Sequence, residues 1–99
     1  MKHIFNKPFT FEGQEYKELD LNLEGLTGDD LISVERELTA TGTVVVTIQT
    51  SQAACLLIAS RAAKVPSELI RALPLNEASK LAMSVQGFLL GLESKTPTL

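Results

Sequence analysis

The period of the hydrophobic pattern changes along this 99-residue chain, and that change constrains the fold more than any other feature of the sequence. From residue 4 to residue 23, apolar and polar side chains alternate in patches on either side of Gly13. Alternation with period two is typical of strands with one buried face, and a glycine supplies the positive φ that a tight turn requires. Pro8 cannot donate to a strand ladder, so it belongs at an edge or at the start of the first strand. The pattern predicts an antiparallel β-hairpin, which needs support because an isolated hairpin is marginally stable in water.

Residues 27–42 carry the signals of a short helix. Thr27 is followed three residues later by an acid, Asp30, which is typical of a helix N-terminus, and Gly42 is a plausible stop. The apolar residues between these signals lie at helical spacing: Leu31, Val34 and Leu38. The next segment, residues 43–50, is rich in β-branched residues and predicts an extended connector.

The remainder of the chain predicts three more helices. The first is capped by Thr50 or Ser51 and has an apolar stripe of Ala54, Leu57, Ile58, Ala62 and Val65. A brief helix with Pro66 at its first position and Pro74 after its end contains Leu69, Ile70 and Leu73. Asn76 is expected to cap the last helix, whose stripe is Ala78, Leu81, Val85, Phe88, Leu89 and Leu92. We therefore predict an α+β fold, with an N-terminal β-hairpin packed on a small bundle of three to four short helices. Residues 1–92 would form a single domain, and residues 93–99 a disordered tail.

Composition and charge narrow the classes of partner and compartment. The net charge is −3, with nine acids and four bases in residues 1–50 against three acids and five bases in residues 51–99. The bases are not clustered and have no interleaved aromatic residues, so we expect no nucleic-acid binding. The longest strongly apolar stretch, residues 53–59, is much shorter than the roughly 20 residues that cross a bilayer, which predicts no membrane insertion. A single cysteine and an N-terminus without an apolar run predict a reducing cytoplasm.

Reactive side chains are few and far apart in the sequence. The chain has one histidine, His3, and one cysteine, Cys55, which cannot supply the four ligands of a structural zinc site. We interpret His3 as a solvated terminal side chain and Cys55 as a small apolar residue buried on a helix. The six glycines are scattered and form no phosphate-binding loop. The sequence thus predicts no catalytic residues, no metal, no cofactor and no enzymatic activity.

The last helix has more apolar surface than a small core is expected to consume. Its final two turns supply four candidate partner-binding residues: Phe88, Leu89, Leu90 and Leu92. Such a surface suits a module that holds another protein. The alternative is that the same residues close the core, because a small domain needs nearly every leucine it has.

The succession of features resembles a known family, the small tail assembly chaperones of long-tailed phages and prophages, in the group described as protein E, 41 or 14. The resemblance covers about residues 4 to 91 and lies in the order of three segments, "KPFTFEGQEYKELDL", "LTGDDL" and "AACLLIASRAAKVPSELIRALPLNEASKLAMSVQGFLLG". Asn76 stands where the family often has Asp, and "TVVVTI" is unlike the usual central segment.

The resemblance implies a non-catalytic role in the host cytoplasm. Such proteins bind the tape measure protein and keep it soluble while the tail tube polymerises, and they are absent from the mature virion. The tail tube protein and a second copy of the chain are further expected partners. Two alternatives stay open: a structural tail component of the virion, such as a completion or connector subunit, and a toxin–antitoxin or regulatory partner of a prophage.

Overall fold

A computed structural model describes residues 1–42 and 51–91 of the chain. Its elements are, in order, β1 (Lys2–Phe11), β2 (Gln14–Asp20), a 3₁₀ turn (Leu23–Gly25), α1 (Gly28–Ala40), α2 (Gln52–Ala63), α3 (Ser67–Arg71) and α4 (Leu75–Leu89). The predicted α+β class is confirmed, because an antiparallel two-stranded hairpin precedes four short helices. The predicted extended connector at 43–50 and the predicted disordered tail at 93–99 lie outside the described residues.

The hairpin turns at Glu12 and Gly13, which both have positive φ, 50° and 81°. Two successive residues with positive φ match the type I′ turn, whose twist suits the two flanking strands. The pairing is interrupted farther from the turn. Residues 2–4 pair with residues 18–20 and residues 9–11 pair with residues 14–16, so four residues of β1 lie opposite Lys17 alone. Pro8 lies in this bulge, where it removes no ladder hydrogen bond. The strand is an edge strand, as predicted, but it begins at Lys2 and not at Pro8.

The predicted caps of the first two helices are confirmed. The backbone N–H of Thr27 donates to Oδ2 of Asp30 at 2.9 Å, which is half of a capping box at the start of α1. The hydroxyl of Ser51 accepts the N–H of Ala54 at 3.2 Å at the start of α2. Both contacts join residues three apart in the chain, so the local sequence was sufficient to predict them.

The predicted start of the last helix is wrong. α4 begins at Leu75 with Pro74 as the preceding cap residue, and the carbonyl of Pro74 accepts the N–H of Ala78 at 2.9 Å. Asn76 therefore lies exposed inside the first turn. Pro66 likewise immediately precedes α3 and does not occupy its first position. The φ near −65° that proline imposes suits a cap residue and a first helical residue equally, so the sequence alone could not separate them.

Helix α2 lies at the centre of the packing. Seven of its twelve residues are buried, and it contacts α1, α3, α4, the 3₁₀ turn and β2. The hairpin rests on the helices through β2 against α2 and β1 against α4. Beyond β2, the N–H of Asn22 donates to the carbonyl of Ala62 at 3.0 Å, which attaches the chain to the end of α2. The largest side chains that are almost wholly buried come from five segments: Leu21, Val34, Cys55, Leu69, Ile70, Leu81 and Val85.

The first strand is not frayed, so the interpretation of His3 as a solvated side chain is wrong. His3 is 8% exposed and its ring contacts the ring of Phe5 edge to face, with 5.3 Å between centroids. Its Nε2 atom lies 3.0 Å from the carboxylate of Glu77 in α4. The partner is 74 residues away, so no local pattern could have predicted that His3 is buried.

Candidate functional site

The end of α4 places the four predicted partner-binding residues in different surroundings. Phe88 and Leu89 are half-buried and pack against the core. Leu90 follows the helix, is 47% exposed, and its N–H donates to the carbonyl of Gln86 at 3.0 Å. Leu92 lies outside the described residues. The structure thus brings two of the four residues, Phe88 and Leu89, to one place.

That place is an apolar groove between the 3₁₀ turn, the start of α1 and the end of α4, with a volume of about 200 Å³. Most of its lining is hydrophobic, and Asp30 is the only charged residue along it among the residues that the structure describes. The lining residues are Leu23, Leu26, Thr27, Gly28, Asp30, Leu31, Ile58, Phe88 and Leu89. We call this surface the apolar groove.

Local hydrogen bonds shape the wall of the apolar groove that faces α4. The side-chain carbonyl of Asn22 accepts the N–H of Gly25 at 3.2 Å, and the N–H of Leu26 donates to the carbonyl of Leu23 at 3.2 Å. A Cβ at position 25 would lie 2.5 Å from the side-chain nitrogen of Asn22, so any residue other than glycine there would displace the Asn22 side chain from this hydrogen bond. Leu23 is consequently directed into the core and Leu26 stays half-buried at the rim.

Asp30 fixes the start of α1 against α2. Its Oδ1 atom accepts a hydrogen bond from Nη1 of Arg61 at 3.1 Å, while its Oδ2 atom accepts the N–H of Thr27. The hydrogen bond from Thr27, with Arg61 as the second favourable contribution, holds the pKa of Asp30 below its ordinary value. The carboxylate is therefore ionised at neutral pH. Its hydrogen bonds to Arg61 and Thr27 hold the start of α1, which forms one wall of the groove, in place.

A second, more polar cavity of about 400 Å³ adjoins the apolar groove. The two share Leu23 and Phe88 as a common wall. The second cavity is lined by Met1, Asp20, Leu21, Asn22, Leu23, Glu24 and Phe88. We call it the acidic cavity. No local pattern in the sequence places Asp20 or Glu24 beside Phe88, because only tertiary packing brings these segments together.

The reactive side chains do not form a cluster. Cys55 is buried in α2, as predicted, and burial raises the pKa of its thiol above the ordinary value, which disfavours the thiolate. His3 is engaged with Glu77. Within residues 1–42 and 51–91, no group of three or more His, Cys, Asp or Glu side chains is arranged to hold a metal ion. Among the helices of the same residues, none has both the length and the apolar character to cross a bilayer.

Comparison with models of known protein families finds no match for this chain. Searches against curated protein sequences and against solved structures likewise find none.

Proposed function

We propose that this protein is a binding module that holds an apolar helical segment of a larger protein, and that it acts without making or breaking covalent bonds. The observation that supports the proposal is the apolar groove, in which Phe88 and Leu89 of α4 face the leucines of the 3₁₀ turn and the first turn of α1. A groove lined by aliphatic and aromatic side chains suits the apolar face of an amphipathic helix.

The size of the groove suits a complex that can be released. Burial of apolar surface contributes roughly 25 cal/mol per Å², but association costs several kcal/mol in lost translational, rotational and side-chain freedom. A groove of about 200 Å³ accommodates only a few side chains, so one copy should bind weakly. Several copies along a long client would together cover its apolar stripe, and each could leave independently.

The identity of the client rests on the resemblance of the sequence to tail assembly chaperones. We propose that the client is the tape measure protein of a phage or prophage, which is long, helical and prone to aggregate. The protein would act in the host cytoplasm while the tail tube polymerises, and it would be absent from the mature virion. Contacts with the tail tube protein and with further copies of the chain belong to the same proposal.

Co-expression with the tape measure protein tests the role of the groove. We expect Leu89→Asp, which places a charge among the lining side chains, to reduce co-purification of the client at least fivefold. Met83→Asp is the matched control, because Met83 is on the same helix and 65% exposed, outside the groove. Circular dichroism and urea unfolding of both variants show whether the domain still folds. Equal binding by wild type and Leu89→Asp would contradict the proposal.

Mass spectrometry of purified mature particles distinguishes the chaperone from the alternative structural tail component. We expect peptides of the tape measure protein and the tail tube protein in the particles, and none from this chain. Its stoichiometric presence in finished particles would support a completion or connector subunit and would overturn the proposed chaperone role.

A further inference from the structure

We infer that the helix bound in the apolar groove carries lysine or arginine beside its apolar stripe, at the end that lies next to Phe88. This inference rests on the proposed function and specifies the chemistry of the partner for the same site. Phe88 and Leu23 line both the apolar groove and the acidic cavity, so a helix seated in the groove at this end would have its next side chains close to the carboxylates of the acidic cavity.

The charge of the acidic cavity is available to a partner. Asp20 and Glu24 are exposed, and within residues 1–42 and 51–91 neither carboxylate forms an ion pair. Lys2 pairs in register with Asp20, but its ammonium group lies 3.4 Å from the carboxylate of Glu18. The N-terminal ammonium of Met1 also lines the cavity, where it donates to the carbonyl of Leu21 at 3.0 Å, so two carboxylates and one ammonium leave one net negative charge among the described lining residues. No lysine or arginine is among the described residues that line either cavity.

Among the described residues that line the opposite side of the apolar groove, none carries an unengaged charge. Its one carboxylate, Asp30, already accepts hydrogen bonds from Arg61 and from the N–H of Thr27. Among the described residues that line the two cavities, the unengaged carboxylates are thus Asp20 and Glu24, on the side of Phe88, which gives the site a direction. Opposite charges at the rim of an interface chiefly accelerate association and exclude partners of the wrong sign.

Two synthetic helical peptides of about 18 residues test the inference, since this length supports a helix with a leucine stripe. One carries lysines at both ends of the stripe and the other carries glutamates at the same positions. Fluorescence anisotropy at low ionic strength measures both dissociation constants. We expect the lysine peptide to bind roughly fivefold to twentyfold tighter, and the difference to shrink at about 0.5 M salt because exposed charges are screened.

The variant Asp20→Asn/Glu24→Gln removes the two available carboxylates. It should reduce the preference for the lysine peptide to less than about twofold while leaving the affinity for a glutamine-flanked peptide unchanged. Glu12→Gln/Glu15→Gln is the matched control, since it removes the same charge from the hairpin turn and should keep the preference.

The outcomes separate this inference from the proposed function. Equal binding of the lysine and glutamate peptides, or a preference that survives Asp20→Asn/Glu24→Gln, overturns the inference and leaves the apolar groove as a binding site. Failure of every peptide to bind overturns both. Light scattering of the protein alone excludes the other occupant: a dimer that Leu89→Asp dissociates would show that a second copy fills the groove, which also overturns the inference.

Discussion

The side chain of Glu77 in α4 lies 3.0 Å from that of His3 in β1, and both are buried. The second carboxylate oxygen of Glu77 accepts the backbone N–H of Asn6 at 2.7 Å. Asn6 lies in the bulge of β1, where residues 5–8 face Lys17 alone across the sheet. One carboxylate thus attaches an irregular strand to the last helix, and it accepts an N–H that the bulge removes from the ladder.

Replacing this carboxylate should destabilise the protein without changing its fold. We expect Glu77→Gln to lower the free energy of unfolding by about 1–3 kcal/mol, because the amide removes the charge and one of the two oxygens that contact His3 and the N–H of Asn6. Urea unfolding followed by circular dichroism measures the change. Glu68→Gln, an exposed position on α3, is the control and should stay within about 0.5 kcal/mol of wild type. Equal effects of the two substitutions would show that the contact with β1 contributes nothing to stability.

The same carboxylate should make stability sensitive to acid. The N–H of Asn6 foremost, then His3 and Lys80, hold the pKa of Glu77 below its ordinary value against the opposing effect of burial. A lowered folded-state pKa stabilises the protein above the unfolded-state pKa of about 4.3, and this contribution is lost as pH falls through the folded-state pKa. Urea unfolding at neutral pH and near pH 3 should therefore show that the difference in free energy of unfolding between wild type and Glu77→Gln is smaller in acid. If this difference were the same at both pH values, the ionised carboxylate of Glu77 would not be the stabilising group.

Substitutions at the two central positions of the hairpin turn should change the free energy of unfolding in opposite directions. Glu12 has a φ of 50°, which asparagine adopts more readily, so Glu12→Asn should raise the free energy of unfolding by up to about 1 kcal/mol. Gly13→Ala should lower it, although nothing lies within 4 Å of the added Cβ, because a φ of 81° is strained for any L residue. Thermal unfolding of the two variants checks both signs, and an unaffected Gly13→Ala protein would exclude the type I′ turn.

Cys55 should be protected from thiol reagents in the folded protein. It is 2% exposed, and burial raises the pKa of its thiol. We expect Ellman's reagent to react slowly in buffer and at once in concentrated urea. The variant Cys55→Ala/Met83→Cys, whose thiol replaces a 65% exposed side chain, is the positive control and should react rapidly in buffer. Rapid native reaction at Cys55 would mean that α2 opens frequently.

Local patterns were sufficient for the order and type of the elements. The alternation around Gly13 correctly predicted the hairpin, and the acid three residues after Thr27 correctly predicted the start of α1. The prediction that failed at Asn76 concerned the first residue of the last helix: the chain is already helical from Leu75, and Pro74, with a ψ of 148°, is the cap residue. Propensity and periodicity indicate whether a segment is a helix or a strand, but they do not define the residue at which it begins.

The sequence predicted only the side of the apolar groove that α4 forms. Phe88 and Leu89 stood out as surplus apolar residues on the last helix, and both line the apolar groove. The opposite wall, with Leu23 and Leu26, comes from a segment more than 60 residues earlier, and nothing in either segment indicates the other. The buried pair of His3 and Glu77 was missed for the same reason.

By itself, the sequence determined the hairpin, the succession of helices and their apolar faces, because turn geometry, capping and periodicity act between residues close together in the chain. Only the tertiary structure decided that His3 is buried against Glu77, and that Asp20 and Glu24 line the same cavity as Phe88. These are contacts between residues far apart in the chain, and they exist only once α2 has gathered the hairpin and the other helices around it.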